Sequence, residues 1–481
     1  MAGVTGIGSG IDIDSIVKSM VTAERAPKEA QLASLEKKTT TQITAVGALK
    51  SAISDFQTAL SALNKPELFQ ARSATSSKSD LVGITASKSA GAGSYQVEVK
   101  ALATSSKVAL AAITNTADVP ARFASGSLEI SLGVPGTPPT KESFSITVDE
   151  SNNSLAGMRD AINAAGKEMG VSATIVTDKD GSRLLLSSNK TGAGRDISVA
   201  VPSAAPGNGL ISLSTLAFDG TGTSSGPGAR VLASAQSAQL FVDGLEVISE
   251  TNKVESAIEG VTLDLMAETA ENEPLTISVA EDKEGVKTQI QSFVDSYNKL
   301  IGVINAQTKV ISAGDGNAPV TGALVGDATA RALLNTIRSE LVNMQGDGAL
   351  RALTDIGITT QKDGTLAIDS GRLDKAMADN FSELPGLFAG DKGLASRLNE
   401  KLKPYTQTGG ILEQRNKAME ETRSDIKTQR EGLDRRIISL QERLYKQFNA
   451  MDLLVGQLSN TSSSLLASLE NLPWAAGNSK R

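Results

Sequence analysis

The chain reads as an α+β multidomain protein: its N- and C-terminal segments form a helical, coiled-coil leg, and β-rich head domains are inserted between them. Three observations predict this. Apolar residues recur in steps of three and four near both ends, they alternate in steps of two through the middle, and 481 residues exceed what one ordinary core holds.

The glycine-rich start, GIGSG from Gly6 to Gly10, invites a phosphate-loop reading that its neighbours reject. The dinucleotide pattern needs glycine where Ile11 stands, no strand precedes it, and no Lys-Ser/Thr follows at P-loop spacing. Flexibility before a helix fits better, with Asp12 or Asp14 as the N-cap. From Leu32 the positions 32, 35, 39, 42, 46, 49, 53, 56, 60 and 63 form a seam, broken only by Thr39 and Gln42, and Pro66 ends it. An intramolecular bundle and a seam shared between subunits both satisfy this stripe, which includes Leu32, Leu35, Val46 and Leu49.

The period then becomes two. Tyr95, Val97 and Val99 predict a half-buried strand, as do Phe144, Ile146 and Val148, then Val261, Leu263 and Leu265, then Leu275, Ile277 and Val279. Asp243–Gly244 between two apolar triplets is the strongest hairpin signal. The segments 135–139 and 202–228 are rich in Gly, Pro, Ser and Thr and read as exposed loops. Asp178 to Gly181 resembles the start of a calcium loop, but Arg183 and Asn189 stand where glycine and glutamate belong, so a hairpin turn explains it.

Helical spacing returns in Val286, Ile290, Phe293, Val294, Tyr297 and Leu300. A second stripe runs through Leu433, Ile437, Leu440, Leu444, Phe448, Met451, Val455 and Leu458, with a stutter near Phe448. Asn460 to Ser464 interrupts this pattern before Leu465, Leu466, Leu469 and Leu472 resume it. Residues 32–63 therefore find their partners beyond residue 284, and the β region projects with both junctions at one end. The extreme ends, 1–31 and 460–481, are expected to fold on assembly.

Composition narrows function. The chain has no histidine and no cysteine, which removes the usual groups for acid–base work near neutrality, for zinc, haem and iron–sulfur ligation, and for disulfides. Aromatic residues are only 3%, so the cores must be aliphatic and no aromatic platform for sugars or single-stranded nucleic acid emerges. The net charge of −7 is spread over interleaved signs, without the basic block that nucleic acid requires. The start lacks the charged and apolar regions of a cleavable signal peptide, and no run approaches the roughly 18 apolar residues of a membrane span. No catalytic residue, cofactor or metal site is expected.

Several blocks, in order, resemble one family. GIGSGIDIDSIVKSMVTAERAP resembles the opening of the flagellar filament cap family (FliD, hook-associated protein 2). FVDGLEVISETNKVESAIEGVTLDL, FVDSYNKLIGVIN, LVGDATARALLNTIRSEL and RLYKQFNAMDLLVGQLSNTSSSL resemble its later segments. Residues about 125–200 are similar to the flagellin hook IN motif, with Ile162-Asn163 at its namesake position.

The resemblance implies a ring homo-oligomer, pentamer or hexamer, at the extracellular tip of the flagellum. Its β domains form a plate, its legs reach down, and flagellin folds beneath. Implied partners are the chain itself, flagellin, hook–filament junction proteins and a cytoplasmic export chaperone, with no nucleic acid and no membrane. Gly6, Gly8, Gly10, Ile11 and Asp12 match the N-terminal leg pattern. Met451, Leu454, Val455 and Leu458 match the C-terminal leg, which family members also use for the chaperone.

The expected division is 1–40 with 447–481 as the terminal leg, 41–78 with 283–446 as a helical leg domain, 79–120 with 233–282 as a β-rich head, and 121–232 as an outer head. A tip adhesin, a related axial or junction protein, and a carboxylate-based enzyme are the alternatives, the last without any motif.

Overall fold

A computed structural model describes residue 10 and residues 12–114, 121–133, 141–222, 226–311, 319–344 and 348–470. Gly6, Gly8, Ile11 and the loop at 135–139 lie outside the described residues. The chain forms two compact units, residues 69–283 and residues 1–68 with 284–481.

In the helical unit the first helix runs from Ile13 to Leu63. Asp12 caps it, its carboxylate accepting from the Ser15 amide at 3.0 Å, and so satisfies one of the orphan donors of the first turn. The helix ends at Leu63 and a short helix begins at Pro66, where the missing N–H costs nothing. The apolar stripe of Lys283–Thr308 (Val286, Ile290, Phe293, Val294, Tyr297 and Leu300) is wholly buried. Phe56 meets it through ring contacts of 5.7 Å with Phe293 and 5.8 Å with Tyr297. The buried Tyr297 hydroxyl donates to the Gly364 carbonyl at 2.8 Å, and burial pushes its pKa up to about 12. The last helix is continuous from Ile411 to Glu470.

The unit of residues 69–283 is built from antiparallel sheets. One core lies between a five-stranded sheet, in the order Arg72–Ser76, Leu275–Glu281, Gly93–Ala101, Ala238–Val242, Leu245–Ser249, and a three-stranded sheet of Lys253–Ile258, Val261–Leu265 and Val82–Ala86. The alternating residues predicted from period two fill it: Val97, Val99, Val261, Leu263, Leu275, Ile277 and Val279. Arg72 pairs with Glu281, so the first and last strands are neighbours and both junctions fall at one end.

A second core gathers a four-stranded sheet, a three-stranded sheet and the helix Leu155–Ala165 around Leu128, Ile130, Met158, Leu184 and Leu186. The Asp243–Gly244 hairpin forms with positive φ at both residues, 49° and 81°, the primed turn such a pair favours. Asp178 to Gly181 is the turn of the hairpin joining Val171–Asp178 to Gly181–Thr191. Its carboxylates face a buried arginine: Asp178 lies 2.9 Å from Arg183.

Four expectations need correction. Leu35, placed in the seam, is exposed, whereas Thr39, counted as a break, is buried. The Thr39 hydroxyl donates to the Leu35 carbonyl at 2.8 Å, so it carries no unsatisfied group into the seam. Residues 13–31, grouped with the ends that need neighbours, are helical and pack against the last helix of the same chain. Asn460 to Ser464 is not an interruption, since Thr461 and Ser468 turn their hydroxyls onto carbonyls one turn back, at 2.8 Å each, and the helix continues. Finally, the units divide at 68/69 rather than 78/79, because Arg72–Ser76 already belongs to the sheet.

Candidate assembly surface

The leg is a two-helix seam. Leu32 packs with Ile426, Leu433 and Ile437, and further along Ile13 and Val17 pack with Leu444, flanked by Val21, Leu440, Tyr445 and Phe448. Rising chain numbers on one helix meet falling numbers on the other, so the pair is antiparallel. Across its rim run Arg25–Asp434 at 2.8 Å, Arg436–Glu24 at 2.6 Å, and Arg430 to Glu29 and Glu36 at 3.1 and 2.9 Å. Half-exposed pairs of this kind stabilise little individually and serve chiefly to fix register.

At the seam's end the Tyr445 hydroxyl donates to Asp14, which also pairs with Lys18 at 2.6 Å. Lys18, and then Tyr445, hold the Asp14 carboxyl below its ordinary range, while Asp14 raises the pKa of both partners.

Beyond Phe448, where the two-helix seam ends, the last helix continues to Glu470. Met451, Leu453, Leu454, Val455, Leu458, Leu465, Leu466 and Leu469 are all exposed, from 38% at Val455 to 68% at Leu458. Roughly 30 Å of helix, at about 1.5 Å per residue, therefore presents aliphatic side chains to solvent. Large exposed apolar surface is uncommon on soluble proteins.

The sequence-derived contact residues thus separate. Met451, Leu454, Val455 and Leu458 stand free, and Leu35 is exposed on the first helix. Leu32, Val46 and Leu49 are buried within the chain. Gly10 has φ +74° with open space around it, and Asp12 is a helix cap. Sequence reasoning missed Leu453, which lies off the heptad stripe. It also missed the hairpin of Val310–Ile311 and Val320–Thr321, where Val310, Ile311 and Val320 are all exposed; a two-residue strand leaves no periodic signal.

Among the described residues no group of three or more metal-ligating side chains occurs, and no helix is long and apolar enough to cross a membrane. An open polar groove of about 590 Å³, lined by Asp55, Lys287, Gln291, Asp295 and Lys299, lies beside Lys283–Thr308. Lys299 pairs with Asp55 across it at 2.7 Å, and Lys287 pairs with Asp374 at 2.6 Å.

Fold and surface together define a helical-leg protein: a two-helix seam with a bare apolar extension, and an inserted antiparallel β unit. Comparison with known proteins makes this specific. The flagellar hook-associated protein 2 N-terminus profile matches residues 9–106, its C-terminus profile residues 235–460, and the flagellin hook IN motif residues 128–190.

The chain is 48% identical over 481 residues to the B-type flagellar hook-associated protein 2 of Pseudomonas aeruginosa, covering 99% of each. It is 32% identical to flagellar hook-associated protein 2 of Escherichia coli, covering 97% of each. Among solved structures, the D1-D2-D3 domains of the flagellar cap protein FliD from Escherichia coli align at 30% identity with a TM-score of 0.59, covering 78% of this chain and 99% of that one. The chain belongs to the flagellar hook-associated protein 2 family, the caps of the flagellar filament. It is a structural protein of the extracellular filament tip and not an enzyme.

Proposed function

We propose that five or six copies of the chain form a ring at the filament tip that confines exported flagellin until it folds into the next lattice position. The β unit supplies the plate and the helical unit the legs. The observation that carries this reading is the bare aliphatic run from Met451 to Leu469 on a helix otherwise packed in its own chain. Such a run gains free energy only when a neighbour covers it, and contacts with neighbours are what a moving cap must make and release. Flagellin and the hook–filament junction proteins are the neighbours it would meet outside the cell, and an export chaperone the one inside.

The test removes residues 449–481, which leaves every described seam contact up to Phe448 intact. Purified full-length and shortened protein are supplied from outside to capless filaments, so that export is not measured. The full chain should restore flagellin addition at the tip, and the shortened chain should be folded by circular dichroism yet inactive. Filament growth with the shortened chain would remove the leg assignment.

A further inference from the structure

One exposed turn of the β unit carries a reactive pair. Asn208–Gly209 is the chain's single Asn-Gly sequence, within Pro206-Gly207-Asn208-Gly209-Leu210. The Leu210 amide donates to the Gly207 carbonyl at 2.6 Å, and Asn208 and Gly209 both have positive φ, 41° and 87°, a primed two-residue turn. Both residues are exposed. Among the described residues the Asn208 side chain has no hydrogen-bond partner and the Gly209 amide donates to no acceptor. A Cβ built at Gly209 meets nothing within 4 Å, so the glycine answers to backbone conformation and not to crowding.

We propose that Asn208–Gly209 is a spontaneous deamidation site that adds negative charge to the β unit as the protein ages. The Gly209 amide nitrogen, its proton taken by hydroxide, attacks the Asn208 side-chain carbon. A C–N bond forms, the side-chain nitrogen leaves as ammonia, and a five-membered succinimide results. Water then opens the ring at either carbonyl, giving aspartate or isoaspartate. The reaction consumes only water and is neither oxidative nor metal-dependent.

The rest of the molecule supplies contrasts. Asn272 is also exposed with positive φ, 58°, but Glu273 follows it, and a side chain at the next residue crowds the attacking nitrogen. Asn163, Asn252 and Asn298 each have the carboxamide held at both ends by backbone groups. Asp243, in the other primed turn, has its carboxylate fixed by the Gln96 amide at 2.8 Å. Asn208 alone among these combines a following glycine, exposure and a free carboxamide.

The consequence is local. Ile211 donates to the Arg122 carbonyl and accepts from the Ala124 amide, both at 2.9 Å, so the chain is re-anchored directly after the turn. Outside the cell, where no methyl donor is at hand to reverse isoaspartate, the product accumulates with the age of the cap.

Tryptic peptides read the proposal directly. The peptide of residues 196–230 contains Asn208 as its sole asparagine, and that of residues 254–283 contains Asn272 as its sole asparagine. The purified full chain is warmed at mildly alkaline pH and sampled over time. Peptide 196–230 should gain the mass difference between a hydroxyl and an amino group, at a rate rising with hydroxide concentration, while peptide 254–283 stays unchanged. The intact chain should develop an isoform one charge more acidic than its −7 form, co-migrating with Asn208→Asp. Asn208→Gln should abolish the early mass gain. An unmodified peptide 196–230 under conditions that deamidate the unfolded chain would overturn the proposal. So would equal rates at Asn208 and Asn272.

Discussion

At the scale of single residues, Arg183 shows how a charge is held inside the β unit. Its guanidinium, with the side chain 2% exposed, lies 2.9 Å from Asp178 and donates to the carbonyls of Gly226 and Gly228 at 3.3 and 3.2 Å. It thereby ties the end of the glycine-rich segment to the hairpin at Asp178. Arg183→Ala leaves those acceptors without a donor and should cost about 3–5 kcal/mol, measured by chemical denaturation.

The pair also sets a pH dependence. The Asp180 amide first, and then Arg183, hold the Asp178 carboxyl below its ordinary value of 3.8. A depressed folded-state pKa means the stabilisation is present above that value and is lost as pH falls through the lower, folded one. Acid titration of unfolding should show this loss below pH 3.8, and Asp178→Asn should flatten it. An unchanged acid limb in that variant would exclude Asp178 as its source.

At the scale of elements, the last helix has two different halves. As far as Leu444 it packs against the first helix; beyond Phe448 its large apolar side chains are exposed. Helices in proteins owe most of their stability to the packing of an apolar face. Amides of residues 449–469 should therefore exchange with solvent far faster than those of 426–444, by hydrogen exchange on the free protein. Substitutions should divide likewise. Leu433→Asp places a charge in the seam and should cost about 3 kcal/mol or more. Leu458→Asp should leave the melting temperature unchanged and abolish assembly, seen as lost oligomer in light scattering. A large destabilisation by Leu458→Asp would mean the tail is packed in the free chain.

For the whole molecule, the decisive feature is that residues 69–283 begin and end on paired strands, with Arg72 opposite Glu281. A unit whose ends are neighbours and whose cores are its own meets the conditions for folding alone. Expressed separately, residues 69–283 should give a folded monomer that melts as the same segment does in the full chain. Failure to fold would show that the helical unit is required for it. In contrast, residues 284–481 alone should not fold natively, because the Phe56 and Leu32 contacts come from the other end of the chain.

Local pattern determined much of this protein. The aliphatic strand faces, the Asp243–Gly244 turn, an aspartate cap at Asp12 or Asp14 and the apolar stripe of Phe293, Val294, Tyr297 and Leu300 follow from spacings and backbone preferences that operate within a few residues. Of the bare residues, Met451, Val455 and Leu458 are legible as a stripe and Leu454 only through the family resemblance, none of them as uncovered. Only the tertiary structure decided which side of each stripe lies inside. Leu35 faces solvent and Thr39 the seam because burial on a helix is fixed by where the second helix lies, and that helix is nearly 400 residues away in sequence. The same distance explains why residues 13–31 proved to be packed: their partners at 426–448 are set by the antiparallel return of the chain, which no local spacing encodes.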